Sequence, residues 1–197
     1  MSISLRAWTS LRQKNEITVG RDGWSLPCPF WEGVKAMAVK LRNMTSLYLT
    51  DDQGILCLYR IGSRVANRKY VGSAGGHFEP RELNDPRACV LREMREELNL
   101  SEEDVEDLAL RYITHRLTGG EIRQNYYFFA RLREKRTLSS TEGILRWVTY
   151  EEIPELEMPV SAKHMMLHYL QKGRFTDCLY GGITEENSTS FVEMREF

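Results

Sequence analysis

The sequence predicts an α+β fold in which a central sheet is covered on both faces. The run Tyr126-Tyr127-Phe128-Phe129 places aromatic side chains on both sides of one strand, which is typical of a central strand packed between two layers. Strand-like stretches also alternate along the chain with two segments of helical periodicity. With 197 residues, the chain is long enough for one domain and an additional arm.

The arm is predicted at residues 1–33 and the domain at residues 34–197. The arm contains Trp8, Trp24 and Trp31 among glycines and prolines and shows no sustained periodicity. Its aromatic content argues against disorder. We expect the arm to pack on the domain or on a second subunit, which makes a homodimer one expected arrangement.

Two hairpins and a short strand are predicted in the domain. Strand-like runs at 39–49 and 55–59 flank the turn-rich tetrad Asp51-Asp52-Gln53-Gly54. Longer runs at 108–117 and 122–132 flank Gly119-Gly120, a typical hairpin turn. A further short strand is predicted at 144–148.

The strongest helix prediction covers residues 86–98. Asp85 is a suitable N-cap residue, and Asn99 can adopt the left-handed conformation that ends a helix. One apolar stripe is expected on this helix, formed by Ala88, Leu91, Met94 and Leu98.

A second helix is expected at 161–172, with Gly173 ending it. The tail from Arg174 onward is predicted to be irregular, apart from a short strand near 190–192.

Composition and charge exclude several classes of protein. Acidic and basic residues nearly cancel, for a formal net charge of −1, so no basic surface for a nucleic acid polymer is indicated. No apolar stretch approaches the ~20 residues that span a bilayer. The cysteines contain no C-x-x-C pair, which predicts buried, reduced thiols (Cys28, Cys57, Cys89 and Cys178). We therefore expect a cytoplasmic protein without a membrane or nucleic acid partner.

The main candidate site is the glycine turn Gly75-Gly76 together with the first helix. Glu93, Glu96 and Glu97 are spaced i, i+3, i+4, so their carboxylates share one helix face. A hard divalent cation such as Mg²⁺ would relieve the repulsion between these three charges. Arg92 lies four residues before Glu96 and can hold it in place. A solvated acidic helix face is the alternative, and the preceding double glycine argues against it.

These residues resemble the Nudix hydrolases, whose box reads G-x5-E-x7-R-E-U-x-E-E-x-G-U with U a bulky aliphatic residue. The chain has Gly76, then five residues, Glu82, nine residues, and the contiguous run Arg92 to Glu97. It departs from the box in a spacer two residues longer and in Asn99, which replaces a glycine. Neither departure removes a candidate ligand.

The resemblance implies an α/β/α sandwich around a mixed sheet and hydrolysis of a nucleoside diphosphate linked to another group X. By position, Glu93, Glu96, Glu97 and the Gly76 carbonyl would bind Mg²⁺ or Mn²⁺, and Arg92 would orient the glutamates. The sequence looks most like bacterial members labelled 8-oxo-dGTP diphosphatases. A nucleotide-sugar or ADP-ribose substrate, and a non-catalytic nucleotide-binding sensor, remain the alternatives.

Residues outside the box complete the predicted site. The resemblance implies that the general base is either a box glutamate, such as Glu93 or Glu96, or a glutamate of a later loop. Glu142 lies in such a loop and is suggested as an additional ligand or base, against the alternative of a plain loop glutamate. Arg60 and Arg64 are candidates for phosphate contacts because a guanidinium can make two hydrogen bonds to phosphate. Asn125 is a candidate for contact with a nucleobase edge, although an in-sheet polar residue explains it equally well.

Overall fold

The computed structural model describes residues 39–62 and 66–195. The predicted arm at residues 1–33, and also Cys28 and Arg64, lie outside the described residues. The strands are β1 (Lys40–Thr50), β2 (Gly54–Arg60), β3 (Tyr70–Val71), β4 (Val105–Thr118), β5 (Glu121–Leu132), β6 (Gly143–Thr149), β7 (Leu179–Thr184) and β8 (Thr189–Met194), and the helices are α1 (Pro86–Leu98) and α2 (Val160–Gln171). Short 3₁₀ turns occupy Pro80–Glu82, Glu102–Asp104, Ile153–Glu155 and Gly173–Phe175.

All eight strands join one mixed sheet. The main path runs β3-β2-β1-β5-β4-β7-β8, and β6 pairs with β2. The β1–β5 and β4–β7 pairs are parallel, whereas both predicted hairpins, β1–β2 and β4–β5, are antiparallel. Strand β5 therefore lies inside the sheet between β1 and β4, as the aromatic run predicted.

A separate hydrophobic core fills each face of the sheet. On one face α2 packs through Met165, Met166 and Tyr169 against Tyr127 and Phe129 of β5. On the other face α1 packs against the sheet, and its partners there include Phe128. The predicted sandwich of a mixed sheet between two helical layers is confirmed.

Helix α1 begins and ends at the predicted residues. The Asp85 carboxylate accepts a hydrogen bond from the Ala88 N–H at 3.0 Å, and Asn99 adopts the left-handed conformation with φ 53°. The predicted apolar stripe was partly wrong, because Ala88 is exposed. The predicted Met94 and Leu98 are buried, and Val90, four residues before Met94, continues their stripe, with Cys89 buried beside it.

The C-terminal part of the chain corrects two predictions. The tail contains an antiparallel hairpin of β7 and β8, not an irregular segment with one short strand. Helix α2 does end before Gly173, but this glycine is required by packing, since a Cβ there would lie 2.0 Å from the Tyr112 hydroxyl oxygen. Its backbone has no left-handed φ.

The sequence also predicts buried, reduced cysteines and no stretch that spans a membrane. Cys57 and Cys89 are buried free thiols, and burial raises the pKa of each to about 12. Cys178 is also free and half-buried. Neither helix of the described part of the chain is long and apolar enough to cross a membrane.

Candidate active site

The glycine turn is fixed by backbone hydrogen bonds to β1. The Thr45 N–H donates to the Gly76 carbonyl at 2.9 Å, and the Leu47 N–H donates to the Ala74 carbonyl at 2.7 Å. A carbonyl oxygen has two lone pairs, so that of Gly76 retains one for a cation. A Cβ at Gly76 would lie 2.2 Å from Oε1 of Glu93, so a side chain there would displace the Glu93 carboxylate. The turn thus sets the Gly76 backbone directly against the first glutamate of α1.

Gly75 links the turn to the other end of the glutamate set. Its N–H donates to Oε2 of Glu97 at 2.9 Å. Its φ of +152° disfavours any side chain, and a Cβ would lie 2.3 Å from the Thr45 carbonyl oxygen, which belongs to a strand backbone and cannot easily move.

Replacing Gly75 with alanine is therefore expected to lower the free energy of unfolding by about 1–3 kcal/mol. It should also displace the N–H that holds Glu97. Chemical denaturation measures the first effect. Gly181→Ala is the matched control, because a Cβ there meets only side-chain atoms, the flexible Met194 at 3.3 Å and Val192 at 3.6 Å. Equal stability of Gly75→Ala and the wild type would contradict this account of the turn.

Arg92 binds three of the acidic side chains around the turn. Its Nε and Nη2 donate to the two carboxylate oxygens of Glu82 at 2.8 and 3.0 Å. Its Nη1 donates to Glu93 at 2.8 Å and to Glu96 at 3.0 Å. The hydrogen bonds from Arg92, opposed by burial, hold the pKa of Glu82 at about 2. Arg92 therefore positions the glutamates, and it does so through more partners than the i, i+4 contact predicted.

The three box glutamates differ in their surroundings. Glu93 is buried, Glu96 is exposed and Glu97 is half-buried. Burial raises the pKa of Glu97, and the charge of Glu93 adds to this, while the Gly75 N–H opposes it. Glu97 thus carries its negative charge against a desolvation penalty that a cation would relieve.

The donor chemistry of this cluster fits a hard divalent cation. The cluster contains four carboxylates, three of which (those of Glu82, Glu93 and Glu96) bond the one guanidinium of Arg92, so its formal charge is −3. Within the ranges 39–62 and 66–195, no three His, Cys, Asp or Glu side chains are already placed to hold an ion together. The reason is that Glu93 and Glu96 turn toward Arg92, and Glu97 toward Gly75. To bind a cation, the carboxylates would have to turn away from these partners. A hard divalent cation favours such oxygen ligands.

A cavity of about 150 Å³ adjoins the glutamates on the α2 side of the sheet. Gly75 and Glu97 lie at one end of it, and Tyr48 and Tyr127 contribute to its wall. The polar residues that line it are Thr45, Ser46, Arg60, Glu97, Arg116, Arg123, Asn125, Glu142 and Ser161, together with the two tyrosines.

The structure brings three of the predicted residues outside the box, Arg60, Asn125 and Glu142, into this same cavity. Arg60 and Glu142 both line it and form an ion pair with each other. The Arg60 Nε is buried and has no hydrogen-bond partner. Asn125 also lines the cavity, whereas its neighbour Gln124 turns away and bonds His115 and Tyr126.

Three residues around the site were given no role from the sequence. Glu82 is 3% exposed and is bound through two oxygens by Arg92. Arg116 and Arg123 line the cavity and lie directly opposite each other on β4 and β5. The pairing of Arg116 with Arg123 could have been predicted from the sequence. A two-residue turn at Gly119-Gly120 pairs Thr118 with Glu121, and counting back two residues on each strand pairs Arg116 with Arg123.

Comparison with known proteins agrees with this geometry. The sequence profile of the NUDIX domain matches residues 40–169, which is more than half of the chain. No curated protein is similar enough in sequence to count as a relative.

Solved structures share the fold at low identity. The mutator protein MutT of Bacillus halodurans is 23% identical, with a TM-score of 0.55, over 77% of this chain and 97% of its own. A Nudix hydrolase of Nitrosomonas europaea is 17% identical, with a TM-score of 0.58, over 75% of this chain and 80% of its own. The Ap4A hydrolase of C. elegans is 15% identical, with a TM-score of 0.52, over 66% of this chain and 95% of its own. The resemblance seen in the box is thereby confirmed, and the chain belongs to the Nudix family of hydrolases.

Proposed function

We propose that this protein hydrolyses the phosphoanhydride bond of a nucleoside diphosphate linked to a group X, using a divalent cation. The observation that carries the proposal is the position of Glu97, which belongs to the acidic cluster of α1 and also lines the cavity. The cation, Mg²⁺ or Mn²⁺, would be held by Glu93, Glu96, Glu97 and the Gly76 carbonyl.

The residues of the chain support such a reaction in complementary ways. A cation bound at the glutamates would supply charge neutralisation on phosphate oxygens and a more acidic water molecule. Arg92 holds Glu93 and Glu96 in place. Arg60 offers a buried Nε donor to a phosphate oxygen. Glu142, held by Arg60 in the cavity wall, is the candidate for an additional ligand or for the base that takes the proton from water.

Oxidised deoxynucleoside triphosphates, with 8-oxo-dGTP first, are the substrates we propose to test first. The glycine loop and strand β5 resemble those of bacterial Nudix proteins labelled 8-oxo-dGTP diphosphatases, which supports this choice. Asn125 lines the cavity and offers an amide to a base edge. Nucleotide sugars and ADP-ribose form the second candidate group. One neighbour in structure is named an Ap4A hydrolase, so the fold is compatible with substrates of several kinds.

The test is a substrate panel with the purified protein. We expect a nucleoside monophosphate product from at least one of 8-oxo-dGTP, dGTP, ADP-ribose, UDP-glucose and Ap4A when Mg²⁺ or Mn²⁺ is present. A chelator should abolish the product and added cation should restore it. Nucleotide binding without turnover under every condition would favour the non-catalytic sensor instead, and would refute the proposal.

A further inference from the structure

Three arginines lie in register across three adjacent strands. Arg42 of β1 pairs in register with Arg123 of β5, which in turn pairs with Arg116 of β4. Cross-strand partners share one face of a sheet, and their Cβ atoms are typically about 4.5–5.5 Å apart in an antiparallel pair. Arg116 and Arg123 both line the cavity described above.

This arrangement is incompletely neutralised. Glu121 pairs with Arg42 at 3.2 Å and with Arg123 at 3.1 Å, so one carboxylate serves two guanidiniums. No carboxylate in the described part of the chain forms a salt bridge with Arg116. Like charges directly opposite each other destabilise a sheet. The three arginines and Glu121 together carry a formal charge of +2.

The cavity is consequently polarised along its length. Its acidic end contains Glu97 beside the glycine turn, and Glu142 there is already paired with Arg60. Its basic end contains Arg116 and Arg123. The Gly76 carbonyl bonds Thr45, which is in register with Tyr126, three residues along β5 from Arg123. At about 3.4 Å per residue, the two ends lie about 10 Å apart along the strand.

We propose that Arg116 and Arg123 form a second anion subsite, which binds a phosphate group other than the diphosphate that is cleaved. Paired guanidiniums suit a phosphate because each can donate two hydrogen bonds. The inference deepens the proposed function, on which it rests for the diphosphate at the acidic end. It narrows the substrate to a nucleoside diphosphate derivative that carries a further phosphate at its far end.

The subsite can be tested without turnover. In a chelator the glutamates keep their full negative charge and repel anions, so binding of inorganic phosphate reports on the arginines. We expect millimolar phosphate to raise the melting temperature of the wild type relative to chloride at equal ionic strength. The rise should disappear in Arg116→Gln/Arg123→Gln. It should persist in Arg133→Gln, since Arg133 is an exposed arginine outside the cavity.

Each outcome of this test decides for or against the subsite. No rise in the wild type, or an unchanged rise in the double variant, overturns the proposal. Loss of the rise in Arg60→Gln alone would assign the phosphate to the acidic end and also overturn it. Without ligand, Arg116→Gln should melt at the wild-type temperature or above, because it relieves repulsion. A clear drop in the melting temperature of Arg116→Gln would show that Arg116 stabilises the fold, and would count against the subsite.

A second measurement addresses the substrate. With Mg²⁺ present, kcat/KM is compared for ADP-ribose and for 2′-phospho-ADP-ribose, which differ in one distal phosphate. We expect a preference of about tenfold or more for the phosphorylated form in the wild type, reduced to about one in the double variant. Turnover of both compounds without preference refutes the subsite but leaves the hydrolase proposal intact. If the wild type turns over neither compound, the substrate panel decides on the hydrolase proposal, and the phosphate measurement still decides on the subsite.

Discussion

Replacing Arg92 with methionine is expected to lower the free energy of unfolding by about 3–5 kcal/mol at neutral pH. Arg92 makes two hydrogen bonds to Glu82, whose side chain is only 4% exposed. Without the guanidinium, Glu82 would be a buried charge with no counter-ion, and Glu93 would lose its partner as well. Urea denaturation monitored by fluorescence measures the change. Activity should fall with it, because the positions of Glu93 and Glu96 depend on the same side chain.

Two controls separate the ion pair from the loss of a helical arginine. Arg95 is exposed on the same helix, so Arg95→Met should change stability by no more than about 0.5 kcal/mol. The double variant Arg92→Met/Glu82→Met should recover much of the lost stability, since it removes both charges together. A loss below about 1 kcal/mol in Arg92→Met would show that Glu82 does not depend on Arg92.

The pH dependence provides a further check on this pair. The pKa of Glu82 is lowered to about 2 in the folded protein, so its ionised form stabilises the fold above the ordinary glutamate pKa. This contribution is lost as the pH falls from about 4.5 toward 2. In Arg92→Met, Glu82 no longer has a partner for its ionised form. The stability deficit of the variant should therefore shrink as the pH is lowered and Glu82 becomes protonated.

The elements that the sequence predicted well are those with local signals. The N-cap at Asp85 and the left-handed Asn99 lie within one turn of the helix they bound, so backbone chemistry alone specifies them. The same is true of the Gly119-Gly120 turn, where both glycines have positive φ. Strand β7 lacked such a signal because its sequence contains Gly181 and Gly182, which weaken any strand pattern.

The parts of the site that sequence reasoning missed depend on tertiary packing. Glu82 and Arg92 are ten residues apart, and their contact depends on the path of the loop before α1. The loop is two residues longer than the Nudix box, yet Gly76 still lies against Glu93. Alignment of Arg42 with Arg123 depends on a parallel strand pair formed by distant parts of the chain. Glu142 could be chosen from the resemblance, but its place in the cavity beside Arg60 follows only from the fold.

Replacing Glu97 with glutamine is expected to reduce turnover about 10²–10⁴-fold while leaving the fold intact. Glutamine has nearly the same shape, and its amide oxygen can still accept the Gly75 N–H now bonded at 2.9 Å. The change removes the charge that faces the cavity and would hold the cation. Steady-state rates on the best substrate of the panel, measured across a Mg²⁺ titration, should show a lower maximum and a higher half-saturating Mg²⁺ concentration.

Stability distinguishes a functional role of Glu97 from a structural one. Burial raises the pKa of Glu97, so at neutral pH its ionised form opposes folding, and the neutral glutamine removes that penalty. Glu97→Gln should therefore unfold at the same temperature as the wild type or higher, although it is nearly inactive. Glu103→Gln, an exposed change in the turn after α1, should alter neither property. Full activity in Glu97→Gln would refute its role in the site, and a lower melting temperature would indicate that its charge supports the glycine turn instead.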